Sequence, residues 1–325
     1  MSEKEKEQIF KKLEEKYKVV LVTGGAGFIG SNLVERLLCE TNLLVISLDD
    51  YSAGKKENSL NFQSNGNFIE IVCDVTDKEG LERVFEMYQP DIVFHNAASK
   101  KNVCLKSPSR DLAVNGQGTL NLLELSRKYK IKKFVHASTG SVYGELQENP
   151  QTEKHPLNPA SYYGVSKLCG ERYCNLYNTL FDLNTTILRY FHVYGPRQDS
   201  HDEFGGVISI FERRAEKGLR LAIHGDGEQE RSFTHVEDVV FINLLVAVEQ
   251  DAIGEVYNCA SGEKISVNQA AKEVLKKYKK EFSEKTVEYS ASLIGDIRYF
   301  NVENAKIKGL GVESFTKFQD GIKNV

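Results

Sequence analysis

Apolar runs rich in β-branched residues alternate with longer amphipathic stretches from about residue 18 to residue 195. The amphipathic stretches, such as Leu112–Lys128 and Ser161–Leu180, predict helices. The apolar runs predict six strands, at Val19–Thr23, Leu43–Leu48, Phe68–Cys73, Ile92–His95, Phe134–Ala137 and Thr185–Leu188. Because strands that alternate with helices form parallel sheets covered on both faces, the pattern predicts a doubly wound α/β fold.

The two ends of the chain depart from this alternation. In residues 1–17, Ile9, Leu13 and Tyr17 recur every four positions among charges, which predicts an amphipathic helical extension. We expect this helix to lie on the body of the protein, with a partner-binding arm as the alternative. Beyond residue 195 the predicted helices and strands are shorter and are separated by glycines, so residues 196–325 are expected to form mainly a smaller α/β substrate-binding lobe. We expect residues 235–262 to return to the first domain, which spans 18–195.

Composition narrows the class of protein. The net charge is −4 and the basic residues are dispersed, so a nucleic-acid partner gains no support. No apolar run is long enough to span a membrane, and the first residues lack the apolar core of a signal peptide, which favours a cytoplasmic location. The six cysteines are scattered, without a CxxC pair, so we expect free thiols and no metal site.

A glycine-rich turn follows the first predicted strand directly and precedes a helical pattern. A dinucleotide pyrophosphate needs a tight turn, a closely approaching backbone and a helix N-terminus, and Gly24, Gly27 and Gly30 are spaced for these needs. The context predicts a Rossmann dinucleotide-binding domain.

The second predicted strand leads to Asp49, 19 residues after Gly30. A carboxylate there accepts hydrogen bonds from ribose hydroxyls and repels a 2′-phosphate, so NAD is favoured over NADP. Lys55 and Lys56 keep NADP open as the alternative. Asp74 and Val75 are candidates to flank the adenine, and the alternative interpretation is a helix N-cap at Thr76 or Asp77.

Several further motifs resemble those of one known family. The segments TGGAGFIGS (23–31), STGSVYGE (138–145), SYYGVSK (161–167), RYFHVYGPRQ (189–198) and HVEDVV (235–240) are similar, in this order, to the extended short-chain dehydrogenase/reductase family of nucleotide-sugar epimerases and dehydratases. The resemblance covers about residues 18–310. It implies an enzyme that binds NAD and a nucleotide-linked sugar, with UDP as the expected nucleotide.

The resemblance implies Tyr163, Lys167 and Thr139 as catalytic residues, and their chemistry agrees. Tyr163 and Lys167 are four apart on a predicted helix, so they share a face, whereas the rival Tyr162 is five from the lysine. An adjacent ammonium and a positive nicotinamide ring both favour a phenolate, which can act as a base. The expected cofactor-binding residues are Gly24, Gly27, Phe28, Ile29, Gly30, Asp49, Asp74, Val75, Ala97, Ala98, Ser99, Tyr163 and Lys167.

The same resemblance implies which residues bind the substrate. Arg231 in GDGEQERSF matches an arginine that contacts the nucleotide in this family. Arginine suits this role because its guanidinium can bind a phosphate in a bidentate manner. A surface ion pair with a neighbouring glutamate is the alternative for Arg231, and a solvated lysine is the alternative for Lys100. His192 stands where most relatives have asparagine. The expected substrate-binding residues are Lys100, Ser141, His192, Val207, Arg231 and Arg298.

The motifs favour a 4-epimerase of a UDP-hexose or UDP-N-acetylhexosamine that acts through a transient 4-keto sugar. A UDP-sugar dehydratase is the first alternative, although Gly140 and Ser141 stand where such enzymes commonly carry an Asp-Glu pair. In that case Glu145 or Cys104 would have to supply the acid or base. A non-catalytic NAD-binding regulator is the second alternative. Family analogy also predicts a homodimer, formed through a four-helix bundle by the helices near 112–128 and 162–180.

Overall fold

The computed structural model describes residues 3–99, 101–200, 205–291 and 301–325. The strands in these residues are β1 (Val19–Thr23), β2 (Leu44–Asp49), β3 (Phe68–Val72), β4 (Ile92–His95), β5 (Lys133–Thr139), β6 (Thr185–Tyr190), β7 (Val193–Tyr194), β8 (Leu221–His224), β9 (Glu230–Arg231), β10 (Thr234–His235), β11 (Val256–Cys259), β12 (Ile265–Ser266) and β13 (Val287–Ser290). The six strands predicted from sequence are all present, and β5 and β6 each run two residues further than predicted.

Seven of these described strands form one parallel sheet, in the order β3-β2-β1-β4-β5-β6-β11. The order reverses at β1, which lies between β2 and β4. In open sheets of this kind, ligands bind beyond the carboxyl ends of the strands at such a switch point. The doubly wound parallel fold predicted from sequence is therefore confirmed, and it locates a candidate site beside the ends of β1 and β4.

Helices cover both faces of the sheet. They are α1 (Glu3–Lys16), α2 (Phe28–Glu40), α3 (Lys78–Tyr88), α4 (Lys101–Lys106), α5 (Pro108–Leu112), α6 (Thr119–Lys128), α7 (Tyr162–Phe181), α8 (Val207–Glu216), α9 (Val236–Val248), α10 (Val267–Lys277), α11 (Ala305–Gly309) and α12 (Phe318–Gly321). A π-helical segment, Ala113–Gly118, joins α5 to α6. The helix predicted at Leu112–Lys128 therefore belongs to a longer helical stretch that begins at Pro108.

Successive residues of β1 face opposite sides, as the period of a strand requires. Val20 and Val22 pack into the core formed with α1, α2 and α9, whereas Leu21 packs into the core formed with α3, α6 and α7. All three side chains are fully buried. A strand buried on both faces needs a continuous apolar run, which explains why the sequence signal for β1 is strong.

Helix α1 is part of the first of these cores. Ile9, Phe10 and Leu13 are buried in it together with residues of α9. Just after the helix, the Tyr17 hydroxyl donates a hydrogen bond to the Ala247 carbonyl, 2.6 Å away. The amphipathic spacing of residues 9, 13 and 17 thus corresponds to a helix whose apolar face is covered by the body of the protein.

A smaller core lies in the C-terminal part of the chain, between α8, α10 and the parallel pair β8 and β13. Its buried residues include Phe211, Leu221, Ile223 and Val274. Two short strand pairs, β7 with β10 and β9 with β12, are formed by residues between 193 and 266. In sequence, α9 and β11 lie between these elements, but β11 belongs to the main sheet and α9 to the layer that covers it. The chain therefore leaves the smaller core, returns to the main sheet and then enters the smaller core again.

Candidate active site

The turn between β1 and α2 is shaped by its glycines. Gly24 has a φ of +67°, which favours glycine, and a β-carbon there would lie 2.7 Å from the Ala97 nitrogen. A β-carbon on Gly30 would lie 2.1 Å from the Gly24 carbonyl oxygen. Side chains are thus excluded from both positions, and the free N–H groups at the start of α2 face the cleft. This arrangement fits a pyrophosphate.

Asp49 ends β2 beside this turn and is 7% exposed. One carboxylate oxygen accepts a hydrogen bond from the Ala26 nitrogen at 3.0 Å, and the other accepts one from the Tyr51 nitrogen at 2.8 Å. Burial raises the pKa of Asp49, and these backbone hydrogen bonds act against that rise. The carboxylate is held in a fixed orientation at the edge of the cleft, where a dinucleotide's adenosine ribose would lie.

Asp74 does not cap the next helix. The N-cap of α3 is Asp77, whose side chain accepts a hydrogen bond from the Gly80 nitrogen at 2.9 Å. Asp74 instead forms an ion pair with Arg110, at 2.6 Å. Burial alone would raise the pKa of Asp74, but hydrogen bonds from Thr76 and Arg110 lower it overall. Asp74 and the adjacent Val75 line the cleft.

The catalytic candidates come from two neighbouring elements. Thr139 is the last residue of β5, and Tyr163 and Lys167 lie in the first turns of α7. The Ser161 hydroxyl caps this helix by accepting a hydrogen bond from the Gly164 nitrogen at 3.1 Å, which fixes where the first turn begins. Tyr163 and Thr139 both line the cleft, and the Thr139 hydroxyl donates a hydrogen bond to the Ser141 hydroxyl at 3.3 Å. Lys167 is 1% exposed and is not among the described residues that line the cleft.

The pKa values of Tyr163 and Lys167 differ from those that their spacing in the sequence suggests. Burial raises the pKa of Tyr163 to about 12, Asp111 acts in the same direction, and the hydrogen bond with Thr139 opposes both. Burial lowers the pKa of Lys167 to about 8. In the chain alone Tyr163 is therefore a neutral phenol at pH 7, because its desolvation outweighs any effect of the neighbouring ammonium. A phenolate requires an additional positive charge in the cleft.

One cleft of about 750 Å³ joins most of the predicted site residues. On the cofactor side it is lined by Gly24, Gly27, Phe28, Ile29, Gly30, Asp49, Asp74, Val75, Ala97, Ala98, Ser99 and Tyr163. On the substrate side it is lined by Thr139, Ser141, His192 and Arg231. Val207, the first residue of α8, follows the cleft residue Gly206. Lys100 and Arg298 lie outside the described residues.

Arg231 is not a surface residue, since it is 7% exposed on β9. Its Nη1 donates a hydrogen bond to the Glu230 carbonyl at 2.7 Å. His192 has a φ of +38°, and its ring meets Phe233 edge to face at 5.9 Å between centroids. Both side chains therefore contribute polar groups to a largely enclosed part of the cleft, as recognition of a charged substrate requires.

Buried polar residues lie behind the cleft; the sequence indicated Asn115 as a supporting residue, whereas Asp111, Arg189 and Glu171 were missed. Asp111 and Asn115 face α7 from α5 and the π-helical segment, and Asn115 donates a hydrogen bond to the Ser166 hydroxyl at 2.9 Å. Arg189 and Glu171 form a buried ion pair between β6 and α7. One signal was available, because Asp111 lies four residues before Asn115 and Glu171 four after Lys167, so each pair shares a helix face.

The glycine turn, the oriented Asp49 and the buried Lys167 ammonium, which has no hydrogen-bond partner among the described residues, together fit NAD. Within the described segments, no group of three or more acidic, histidine or cysteine side chains is placed to hold a metal ion. No helix of those segments has both the length and the apolar composition needed to span a bilayer.

Comparison with known proteins agrees with this geometry. The family model of the NAD-dependent epimerase/dehydratase family matches residues 20–260. A putative UDP-glucose 4-epimerase of Methanocaldococcus jannaschii is 38% identical over 310 residues, which cover 94% of this chain and 97% of the relative. A human dTDP-D-glucose 4,6-dehydratase is 32% identical over 315 residues, covering 94% of this chain and 88% of the relative.

The fold is shared with solved structures. The crystal structure of UDP-glucose 4-epimerase from Thermotoga maritima with UDP-glucose superposes with a TM-score of 0.87 at 38% identity, and the match covers 94% of this chain and 96% of that one. The similarity extends over almost the whole length of both proteins. The chain therefore belongs to the NAD-dependent epimerase/dehydratase family, and NAD is its cofactor.

Proposed function

We propose that this protein is a 4-epimerase of a UDP-hexose or UDP-N-acetylhexosamine. The observation that carries the proposal is that Tyr163 and Thr139 both line the cleft into which the glycine turn opens, and are close enough for Thr139 to affect the pKa of Tyr163. Tyr163 is the base, Thr139 holds the reacting oxygen and Lys167 holds the nicotinamide ribose. Bound NAD supplies the hydride acceptor and donor.

In the proposed reaction, the Tyr163 oxygen takes the proton of the C4 hydroxyl while the C4–H bond breaks, which leaves a ketone at C4. The Thr139 hydroxyl donates a hydrogen bond to that oxygen. The 4-keto sugar then rotates within the cleft, so that the opposite face of C4 is presented when the hydride returns. Tyr163 gives its proton back to the C4 oxygen, and the cofactor ends the cycle oxidised. The atoms of the product are those of the substrate, with C4 inverted.

Two features of the cleft favour an epimerase over a dehydratase. Loss of water needs a second acid or base beside the catalytic pair. A β-carbon at Gly140 would lie 2.4 Å from the Phe191 ring, so position 140 has no room for a carboxylate. Neither Glu145 nor Cys104 is among the described residues that line the cleft: Glu145 is exposed, and Cys104 is buried on α4, near enough to Tyr163 to help raise its pKa. Position 140 and Glu145 therefore offer no second acid or base at the cleft, and Cys104 does not line it.

The experiment is incubation of the NAD-loaded protein with UDP-glucose and UDP-N-acetylglucosamine, followed by proton NMR of the products. The expected product has galacto stereochemistry at C4 and retains its C6 hydroxyl. Loss of the C6 hydroxyl would show a dehydratase instead. If neither sugar nucleotide changes while Tyr163→Phe and the unaltered protein bind NAD equally, the non-catalytic alternative replaces the epimerase.

The same proposal includes a homodimer formed through a four-helix bundle. The outer face of α7 carries apolar side chains that are half exposed or more: Tyr162 56%, Val165 54%, Leu176 50% and Leu180 63%. They recur at helical spacing and form one stripe, which is continued by Leu112 at 53% exposure on α5. A second copy of this chain, with the same stripe, would cover it. We place the protein in the cytoplasm, where NAD and nucleotide sugars are available.

A further inference from the structure

Asp111 is a buried carboxylate behind the catalytic helix to which the proposed reaction gives no role. It is 1% exposed, near the end of α5. Fully buried aspartates are rare unless they are paired. One carboxylate oxygen accepts a hydrogen bond from Asn115 Nδ2 at 3.1 Å, and the other has no hydrogen-bond partner among the described residues. A carboxylate so placed needs a charge that balances it.

The side chain of Asn115 fixes the position of this carboxylate. Its amide nitrogen also donates to the Ser166 hydroxyl at 2.9 Å, and its oxygen accepts from the Ser99 nitrogen at 2.9 Å. Asn115 thereby ties Asp111 to α7 on one side and to the segment after β4 on the other. Ser166 lies between Tyr163 and Lys167 in sequence, so Asp111 is anchored to the turn of helix that carries the catalytic pair.

The charges around Lys167 leave Asp111 as the balancing group. Lys167 is fully buried, and its ammonium has no hydrogen-bond partner among the described residues. Cys174 and Glu171 also act on it, but burial raises the pKa of Cys174 and keeps it a neutral thiol, and Glu171 is already neutralised by Arg189. The titratable and charged groups that act on the pair from the elements around it are Asp111 on α5, Cys104 on α4, Glu171 and Cys174 on α7, His95 on β4 and His136 on β5.

The two histidines in this set do not supply charge. Burial lowers the pKa of His95 and of His136 well below the usual value, and the Lys167 ammonium lowers both further. His95 is held by Thr23 and Thr119, whose hydroxyls lie 2.8 and 2.9 Å from its two ring nitrogens. Among the described groups that act on the catalytic pair, Lys167 is thus the buried cation without an ion-pair partner, and Asp111 is the carboxylate without one.

We propose that Asp111 is a positioning residue for the catalytic pair: its carboxylate is the counter-charge that keeps Lys167 protonated, and it acts on Tyr163 from the same place. The inference rests on the proposed roles of Tyr163 and Lys167, and does not depend on which sugar is bound. Removing the negative charge makes it easier for both groups to lose a proton, so the pKa of Lys167 and that of Tyr163 both fall.

The test follows the titration of Lys167 directly, by NMR of protein labelled with ¹³C at the lysine ε-carbon, at equal NAD occupancy in all samples. Lys167→Met assigns the signal. In Asp111→Asn we expect the midpoint of Lys167 to fall by about one pH unit, a tenfold change in its acid dissociation constant. We also expect the acidic limb of the turnover profile to move to lower pH. A role in packing alone would lower activity without moving either midpoint.

Asp91→Asn is the matched control. Asp91 also has structural hydrogen bonds, to the Lys18 and Val19 nitrogens, and an ion pair with Lys132, but it lies at the opposite end of the sheet. The proposal is overturned if Asp111→Asn leaves the midpoint of Lys167 unchanged, or if Asp91→Asn moves it equally. A shifted midpoint in a protein that converts no sugar nucleotide would reject the epimerase and retain this inference.

A second variant covers the case in which Asp111→Asn does not fold. In Lys167→Met, the titration of the Asp111 carboxyl is followed by NMR of protein labelled with ¹³C at the aspartate γ-carbon. The signal is assigned through the contact of Asp111 with the side-chain amide of Asn115. Loss of the cation is expected to raise the midpoint of Asp111 by about one pH unit, because burial raises this pKa and the Lys167 ammonium no longer opposes the rise. An unchanged midpoint would show that the two groups do not balance each other.

Discussion

Arg189 and Glu171 form a two-pronged ion pair inside the protein, with the guanidinium Nε and Nη2 at 2.9 and 2.7 Å from the two carboxylate oxygens. Their side chains are 3% and 2% exposed. The Ser138 hydroxyl also donates to Glu171, and Arg189 Nη1 donates to the Tyr143 hydroxyl at 2.8 Å. The pair therefore joins α7 to the end of β5, where Thr139 follows Ser138.

Breaking this ion pair on one side should strongly destabilise the protein. Glu171→Gln leaves a buried guanidinium without its counter-charge, and we expect the free energy of unfolding to fall by about 3–5 kcal/mol. Denaturant titration monitored by circular dichroism measures the change. Replacing both residues by methionine should lose less, because no charge is then left unpaired. The partly exposed pair of Arg214 and Glu288 is the control, where Glu288→Gln should change stability by about 1 kcal/mol or less. Equal losses in the two single variants would contradict the argument.

Tyr163→Phe should lower turnover by at least about 10²-fold, because it removes the group that takes and returns the proton. NAD content and thermal unfolding temperature should stay near those of the unaltered protein. The chain offers a matched control one residue away, since Tyr162 projects from the outer face of α7 and is 56% exposed. Tyr162→Phe should retain turnover. Initial rates with the converted sugar nucleotide make the comparison, and similar losses in both variants would remove Tyr163 from its role.

Lys133 should make stability depend on pH. It is 2% exposed at the start of β5, its Nζ has no hydrogen-bond partner among the described residues, and burial lowers its pKa to about 7. The unfolded chain therefore binds more protons at Lys133 between pH 7 and its ordinary pKa. The free energy of unfolding should rise with pH across that range, by up to about 1.4 kcal/mol per pH unit.

Lys133→Met should remove this contribution and stabilise the protein at pH 7 and below, where burying the ammonium is unfavourable. The neighbouring Lys132, whose ion pair with Asp91 is 2.8 Å and whose side chain is 55% exposed, is the control. Lys132→Met should leave the pH dependence unchanged. Denaturation curves at several pH values between 6 and 10 measure both variants, and the same slope in Lys133→Met as in the unaltered protein would refute the assignment.

The proposed dimer depends on the apolar stripe of α7. Leu176→Glu combined with Leu180→Glu should shift the protein to a monomer, since the two charges would be buried against the same face of a second copy. Light scattering at micromolar concentration measures the mass. Leu219→Glu is the matched control, because Leu219 is 52% exposed in the C-terminal part of the chain and away from α7. A monomeric unaltered protein would exclude this interface.

The extent to which sequence predicts this fold depends on how each element is buried. The strands β1 and β4 are covered on both faces, so each is a continuous apolar run whose bounds the sequence indicates directly. The two-residue strands β9 and β12 have no such pattern, because their pairing depends on chain segments far apart in sequence. Their existence followed only from the tertiary structure.

The site shows the same division between local and distant signals. The glycine turn and the Tyr163/Lys167 spacing are local signals, and of these residues the turn glycines and Tyr163 line the cleft. Asp111 has only a weak local signal, its four-residue spacing to Asn115, since it lies among serine and arginine residues in what resembles a solvated helix end. Its environment is created by α7, more than 50 residues later in the chain. The raised pKa of Tyr163 could not be predicted either, because spacing reveals neighbouring charges and not desolvation.

Helix α9 is buried along almost its whole length, with eleven of its residues inside the protein, and α1 covers one side of it. The hydrogen bond from Tyr17 to Ala247 closes a sequence separation of 230 residues. During synthesis on the ribosome, α1 therefore leaves the exit tunnel long before the helix that it will cover. Its apolar face must remain unoccupied until about three quarters of the chain has been translated, which makes this helix a natural contact for a chaperone in the interval.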